Sequence, residues 1–211
     1  RRIEADVGGN EIRLSDRVVN HGFNRTPHMY FYHINVSHPL LDQGSRYLAP
    51  IRDVVWAGHT GERYEAQKVG YRTAPAPQLG FSEQVWQHEM GADDKGQVPV
   101  AVVNDRLGLG FEVVTRKDQL PCAYQWQNFQ AGQYALGIEP STHHVLGDLA
   151  ARERGEMIWL EHGEARAYDA VFRVLDGAGE IAAAEGRIGA IARQPEQDYP
   201  RPSGNFPRLG A

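Results

Sequence analysis

Residues Arg166 to Val174 limit this chain to a small set of architectures. Tyr168, Ala170, Phe172 and Val174 alternate with Asp169 and Arg173. A period of two sends one set to a packed face and the other to solvent or a polar groove. Shorter β-rich runs punctuated by Gly, Asn, Asp and Pro repeat the theme: Glu11 to Leu14, Met29 to Val36, Arg52 to Trp56, Gln84 to Met90, Val98 to Val103, Gly110 to Thr115, Tyr134 to Ile138, Met157 to Leu160 and Ile188 to Ile191. Asn104 to Gly108 and Asp176 to Gly179 read as turns in which glycine relieves the φ restriction. The pattern predicts an all-β antiparallel fold, with helix confined to one short segment within Thr142 to Glu156.

A chain of 211 residues is long enough for one sizeable core. Residues 1–194 read as a single β-sandwich domain, and residues 195–211, with Pro195, Pro200, Pro202 and Pro207, as an extended tail that wraps the body. Residues 57–81 carry little apolar periodicity and read as a long loop shaping a pocket mouth. Lys and Arg number 22 against 27 Asp and Glu, for a formal charge of -5. Neither sign forms a long run, so no nucleic-acid or anionic-membrane partner is expected, and a small neutral or acidic ligand fits better. No apolar run approaches membrane-helix length and no signal-peptide core opens the chain, which predicts a cytoplasmic protein. The single Cys122 favours a reducing compartment and reads as structural.

Two segments carry the candidate chemistry. Glu139 follows Leu136, Gly137 and Ile138 and precedes Pro140, so it ends a core strand where a carboxylate must be solvated, paired or used. Proline restricts the residue before it to extended dihedrals, which limits where that carboxylate aims. A structural ion pair would give the same pattern. His33 shares a strand face with Phe31 and Asn35, while Tyr32 and Ile34 point the other way. If the two segments meet, an acid and a base flank a small polar substrate.

Further candidates lie at Ser82 to Glu89, where Gln84, Trp86 and His88 share one face, suited to an aromatic platform for a sugar, and Glu83, Val85 and Gln87 take the other. Trp126, beside Tyr124, repeats the aromatic offer. His143 and His144 point to different faces, so one of them reaches a site that the other does not. Together with His33, His38 and Glu139 they permit a His and carboxylate metal site, but no His-x-His or His-Glu-x-x-His spacing supports one, and no metal is expected.

These residues also carry a family resemblance. Asn20, His21, Gly22, Pro27, Tyr32-His33-Ile34-Asn35-Val36 with Pro39-Leu40-Leu41, then Trp126 and Gly137-Ile138-Glu139-Pro140, resemble the aldose 1-epimerase, or galactose mutarotase-like, superfamily, in its branch of domains of unknown function. Gly155 to Leu160, Gly163-Glu164 and Tyr168 to Val174 are similar to the strands that close that fold. The resemblance implies an antiparallel β-supersandwich with an open carbohydrate-binding cleft, of which this chain would be the latter two-thirds. It implies His33 as general acid at the sugar ring oxygen, Glu139 as general base, and Glu83 or the His88 neighbourhood in place of a substrate-holding aspartate. Asn35, Glu83, Trp86, His88, Trp126 and His143 are the expected substrate contacts. The implied reaction interconverts sugar anomers without a cofactor. A carbohydrate-binding domain without catalysis, or another carbohydrate isomerase or lyase on the same fold, are the alternatives.

Overall fold

A computed structural model of the chain describes residues 1–59, 69–192 and 201–210. Among these residues thirteen strands and two helices follow one another: β1 (Arg2–Ala5), β2 (Glu11–Val19), β3 (Thr26–His28), β4 (Ile34–Ser37), β5 (Arg46–Leu48), β6 (Ile51–His59), β7 (Gln84–Met90), β8 (Gln97–Asn104), β9 (Leu109–Arg116), β10 (Cys122–Asn128), β11 (Ala135–Ser141), α1 (Gly147–Glu153), β12 (Ile158–Leu160), β13 (Ala165–Asp176) and α2 (Ala178–Ile191). They form a six-stranded sheet in the order β1-β2-β13-β9-β8-β5, a five-stranded sheet in the order β4-β11-β10-β7-β6, and the small pair β12-β3. Neighbouring strands run antiparallel throughout these sheets. This is the antiparallel β-sandwich expected of the sequence. No helix among the described residues is long and apolar enough to cross a membrane.

The two large sheets pack face to face. Trp86, Met90, Ala123, Leu136 and Ile138 from the five-stranded sheet meet Val98, Val100, Val102 and Val113 from the six-stranded one. Burial of these side chains, worth about 1.5–3 kcal/mol for a fully buried aliphatic residue, is the main force holding the layers together. The opposite side of β8 is buried as well, because Ala101 and Val103 join Leu175 beneath α2, whose Ile181, Ala184 and Ile188 face inward. Helix α2 contradicts the strand expected at Ile188 to Ile191 and begins where a turn was expected at Asp176 to Gly179. Its inward residues recur at helical spacing, and Gly186 and Gly189 lie on its exposed face with open space around them. Docking on the sheet thus overrides the weak helix propensity of glycine.

Of the strand expected over Met29 to Val36 only the end forms, as β4 from Ile34, preceded by an isolated bridge between Phe31 and Ser141, while β3 already ends at His28. The alternation nevertheless survives, with Phe31, His33 and Asn35 exposed and Tyr32 and Val36 buried. Residues 69–81, expected as part of a surface loop, send Val69, Tyr71, Ala74 and Phe81 into the main core. The remainder of that expected loop at 60–68 lies outside the described residues, as do 195–200 and 211 of the expected tail. Residues 203–209 of the tail lie along the outside of the five-stranded sheet. There Ser203 and Gly204 donate backbone hydrogen bonds to Val54 and Val55, and His144 donates through Nε2 to the Pro207 carbonyl at 2.8 Å.

Candidate active site

The outer face of the five-stranded sheet collects the reactive side chains because strand alternation sends Leu136 and Ile138 inward and Gly137 and Glu139 outward. Strand register does the rest. Gly137 lies opposite both Trp126 of β10 and Asn35 of β4, and Glu139 lies opposite Tyr124. His33, immediately before β4, leans over the same patch.

Glu139 Oε1 and His33 Nδ1 are 3.1 Å apart, with the carboxylate nearly sealed and the imidazole 40% exposed. The contact has ion-pair distance without hydrogen-bond alignment, and Oε1 makes no hydrogen bond. Burial pushes the Glu139 carboxyl above its usual range, while a charge on His33 pulls it back toward ionisation. The other ring nitrogen of His33 is 2.9 Å from Asn35 Oδ1. Aromatic rings frame the pair: Trp126 lies 5.5 Å from the His33 ring, centroid to centroid, and Phe31 lies 6.3 Å from it. The arrangement places an exposed imidazole against a shielded carboxylate, the two group types needed for concerted proton transfer to and from neighbouring oxygens.

The structure brings His33, Asn35, Trp126 and Glu139 together, and His143 borders them at 6.4 Å from the rings of both Phe31 and Tyr124. Burial and the nearby His144 and His28 bring the His143 pKa down to about 4, so at neutral pH it offers an uncharged imidazole. Its Nδ1 lies 3.1 Å from Ser141 Oγ. Glu83 immediately precedes β7, and no hydrogen bond or ion pair joins it to the His33 and Glu139 pair.

Trp86 and His88 require a correction. They do share a face with Gln84, but it is the interior one, and each is only 1% exposed. The Trp86 indole donates to Gln127 Oε1 at 3.3 Å, and the His88 ring packs 4.9 Å from that of Tyr71. Neither can share a pocket with Glu139, which lies on the other side of the sheet. Periodicity establishes which residues share a face, and the packing partner decides which face is inside. The close approach at Gly137, where an added Cβ would lie 2.8 Å from Glu139 Oε1, was not read from the sequence. The available signal was a glycine within a strand, which often marks a close approach. Among the described residues, no group of three or more His, Cys, Asp and Glu side chains is placed to hold a metal ion.

Solved structures share this architecture. A "putative aldose 1-epimerase" from Klebsiella pneumoniae is 25% identical, with a TM-score of 0.80 over 95% of this chain and 52% of its own. A "putative aldose 1-epimerase" from Escherichia coli K12 is 18% identical, with a TM-score of 0.51 over 78% of this chain and 56% of its own. A galactose mutarotase related enzyme from Lactobacillus acidophilus is 14% identical, with a TM-score of 0.50 over 78% of this chain and 57% of its own. The chain therefore spans about half the length of these structures. No curated protein matches it. The model of one family, the domain of unknown function DUF4432, matches residues 1–174, taking in β1 to β12, the site strands β4, β10 and β11, and most of β13, and the chain belongs to that family.

Proposed function

We propose that the chain carries the acid–base pair of an aldose 1-epimerase-like reaction, the interconversion of sugar anomers. The observation that carries this reading is the 3.1 Å approach of an exposed imidazole to a buried carboxylate within an aromatic frame. In a cyclic aldose the anomeric hydroxyl and the ring oxygen are bonded to the same carbon, so two groups this close can act on both. Glu139, as carboxylate, takes the anomeric hydroxyl proton while His33, as imidazolium, gives one to the ring oxygen. The bond from the anomeric carbon to the ring oxygen breaks, and an open-chain aldehyde forms. Rotation about the bond from the carbonyl carbon to its neighbour presents the other carbonyl face. Closing then returns the ring-hydroxyl proton to His33 and the Glu139 proton to the new anomeric hydroxyl, so both groups end as they began. Trp126 and Phe31 offer apolar faces to the sugar, and Asn35 and His143 offer hydrogen bonds. The likeness to the Klebsiella structure supports a small-molecule sugar as partner.

Line-exchange NMR over a panel of neutral, acidic and deoxy sugars tests the reading. At least one sugar should exchange anomers faster with protein than in buffer. Glu139→Gln should remove most of that acceleration, about 100-fold or more, while leaving binding largely intact, because the amide keeps size and polarity but cannot accept the proton. Binding without exchange would make the chain a carbohydrate-binding module, and formation of a constitutionally different sugar would make it another isomerase or a lyase.

A further inference from the structure

Beneath His33 the sheet surface carries no side chain at Gly137, and the Glu139 carboxylate takes up the room that one would need. A Cβ added at Gly137 would lie 2.8 Å from Glu139 Oε1, 3.2 Å from Trp126 Cβ and 3.4 Å from His33 Nε2. Gly137 has no left-handed backbone that would demand glycine, so the requirement at this position is for space. Three groups of the proposed site converge on that space, one from each of β10, β11 and the segment leading into β4. Opposite it in the register stands Asn35, whose Oδ1 takes the His33 nitrogen that faces away from Glu139. Any side chain at 137 would crowd the Glu139 carboxylate and lie against the Nε2 side of the His33 ring, and loss of the Asn35 amide would free the ring to turn.

We infer that Gly137 and Asn35 are positioning residues of the site, one by leaving room for Glu139 to reach His33 and the other by fixing the far side of the imidazole. The inference rests on the acid–base reading for its catalytic consequence, but its geometric content does not. The atom nearest the new methyl is the end of a rotatable carboxylate, so Gly137→Ala displaces Glu139 from His33 more readily than it disturbs the sheet. The Trp126 Cβ and the His33 ring need to yield by only a few tenths of an ångström.

The test is Gly137→Ala in the full chain, read by thermal melting, by NMR of the His33 ring nitrogens and the Glu139 carboxyl carbon, and by anomer exchange. The variant should fold, shift both the His33 and the Glu139 signals, and lose about 100-fold in kcat with little change in KM, as expected when a reacting group is misplaced by about 1 Å. Asn35→Ala, at an exposed position, should shift the His33 nitrogens and lower kcat in the same sense, and it decides the matter if Gly137→Ala does not fold. Unchanged His33 and Glu139 signals in the variants would overturn the inference, as would shifted signals with full exchange activity. If the unaltered protein exchanges no sugar, the epimerase reading fails, while the NMR signals still decide whether these two residues position the pair.

Discussion

Glu139 meets His33 across 3.1 Å on the outer face of the five-stranded sheet, and its buried Oε1 makes no hydrogen bond that would repay its desolvation. Its folded-state pKa is raised by burial. In the unfolded chain it titrates near its ordinary value of about 4.3. Below that value both states are protonated and folding bears no cost for a buried charge. As the pH rises through the higher folded value, the unfolded chain has already ionised and folded stability is lost. Glu139→Gln should therefore melt at a higher temperature than the unaltered protein at neutral pH, with the difference shrinking toward pH 4. Thermal melts of both across this range check the prediction. A less stable variant at neutral pH would mean that the contact with His33 outweighs the burial.

Trp126 stands beside this pair without entering proton transfer. An aromatic face contributes on the order of 1 kcal/mol to a stacked partner. Trp126→Ala should therefore weaken sugar binding about five- to tenfold and leave kcat nearly unchanged. Steady-state exchange kinetics separate the two parameters. A large fall in kcat at constant KM would show instead that the indole holds His33 in place.

Strand β13 was legible in the sequence from its alternation, and β7 was read with both of its ends correct. Strand β10 was not, because Gln125 and Gln127 look like loop residues until their partners are known. Their amides donate inside the core to the carbonyls of Tyr71 at 2.8 Å and Gly70 at 3.1 Å, far away in sequence. Helix α2 was hidden by its glycines, since its stability comes from the sheet it covers. Tyr32-His33-Ile34-Asn35 and Gly137-Ile138-Glu139-Pro140 stood out as motifs, but their meeting depends on β4 pairing with β11, which no local pattern specifies.

Cys122 lies under the tail beside His144, 3.5 Å from its Nδ1, with Glu156 on the far side of the ring at 4.0 Å. The order resembles a thiol, base and carboxylate series, yet the chemistry is absent. Gln87 accepts from the Val145 backbone through Oε1, so its Nε2 donates to His144 Nδ1 at 2.6 Å and that nitrogen is already engaged. Burial pushes the Cys122 thiol up to about 12, and only 3% of the residue is exposed. A thiol-specific reagent at pH 8 should leave the native protein essentially unlabelled and label it fully in denaturant. Rapid stoichiometric labelling of native protein would mean that the tail lifts readily from the sheet.

His88 provides the sharpest test of which sheet face is the interior. Burial brings its pKa down to about 3, and neither ring nitrogen has a hydrogen-bond partner. In the unfolded chain the ring titrates near about 6.5, so its share of stability is complete above that pH and is lost as the pH falls toward the folded value. His88→Leu keeps an apolar residue of suitable size and removes two unsatisfied buried nitrogens, a change that is nearly neutral or stabilising. At neutral pH the variant should lie within about 1.5 kcal/mol of the unaltered protein or above it. Its stability should also decline less steeply between about pH 6.5 and pH 3, because one buried imidazole no longer takes up a proton on unfolding. Denaturant titrations at several pH values measure both effects. Sugar binding and anomer exchange should be unchanged, since the ring lies across the sheet from Glu139. A loss of either in a stably folded His88→Leu protein would place this histidine in the ligand-binding machinery and reject its assignment to the core.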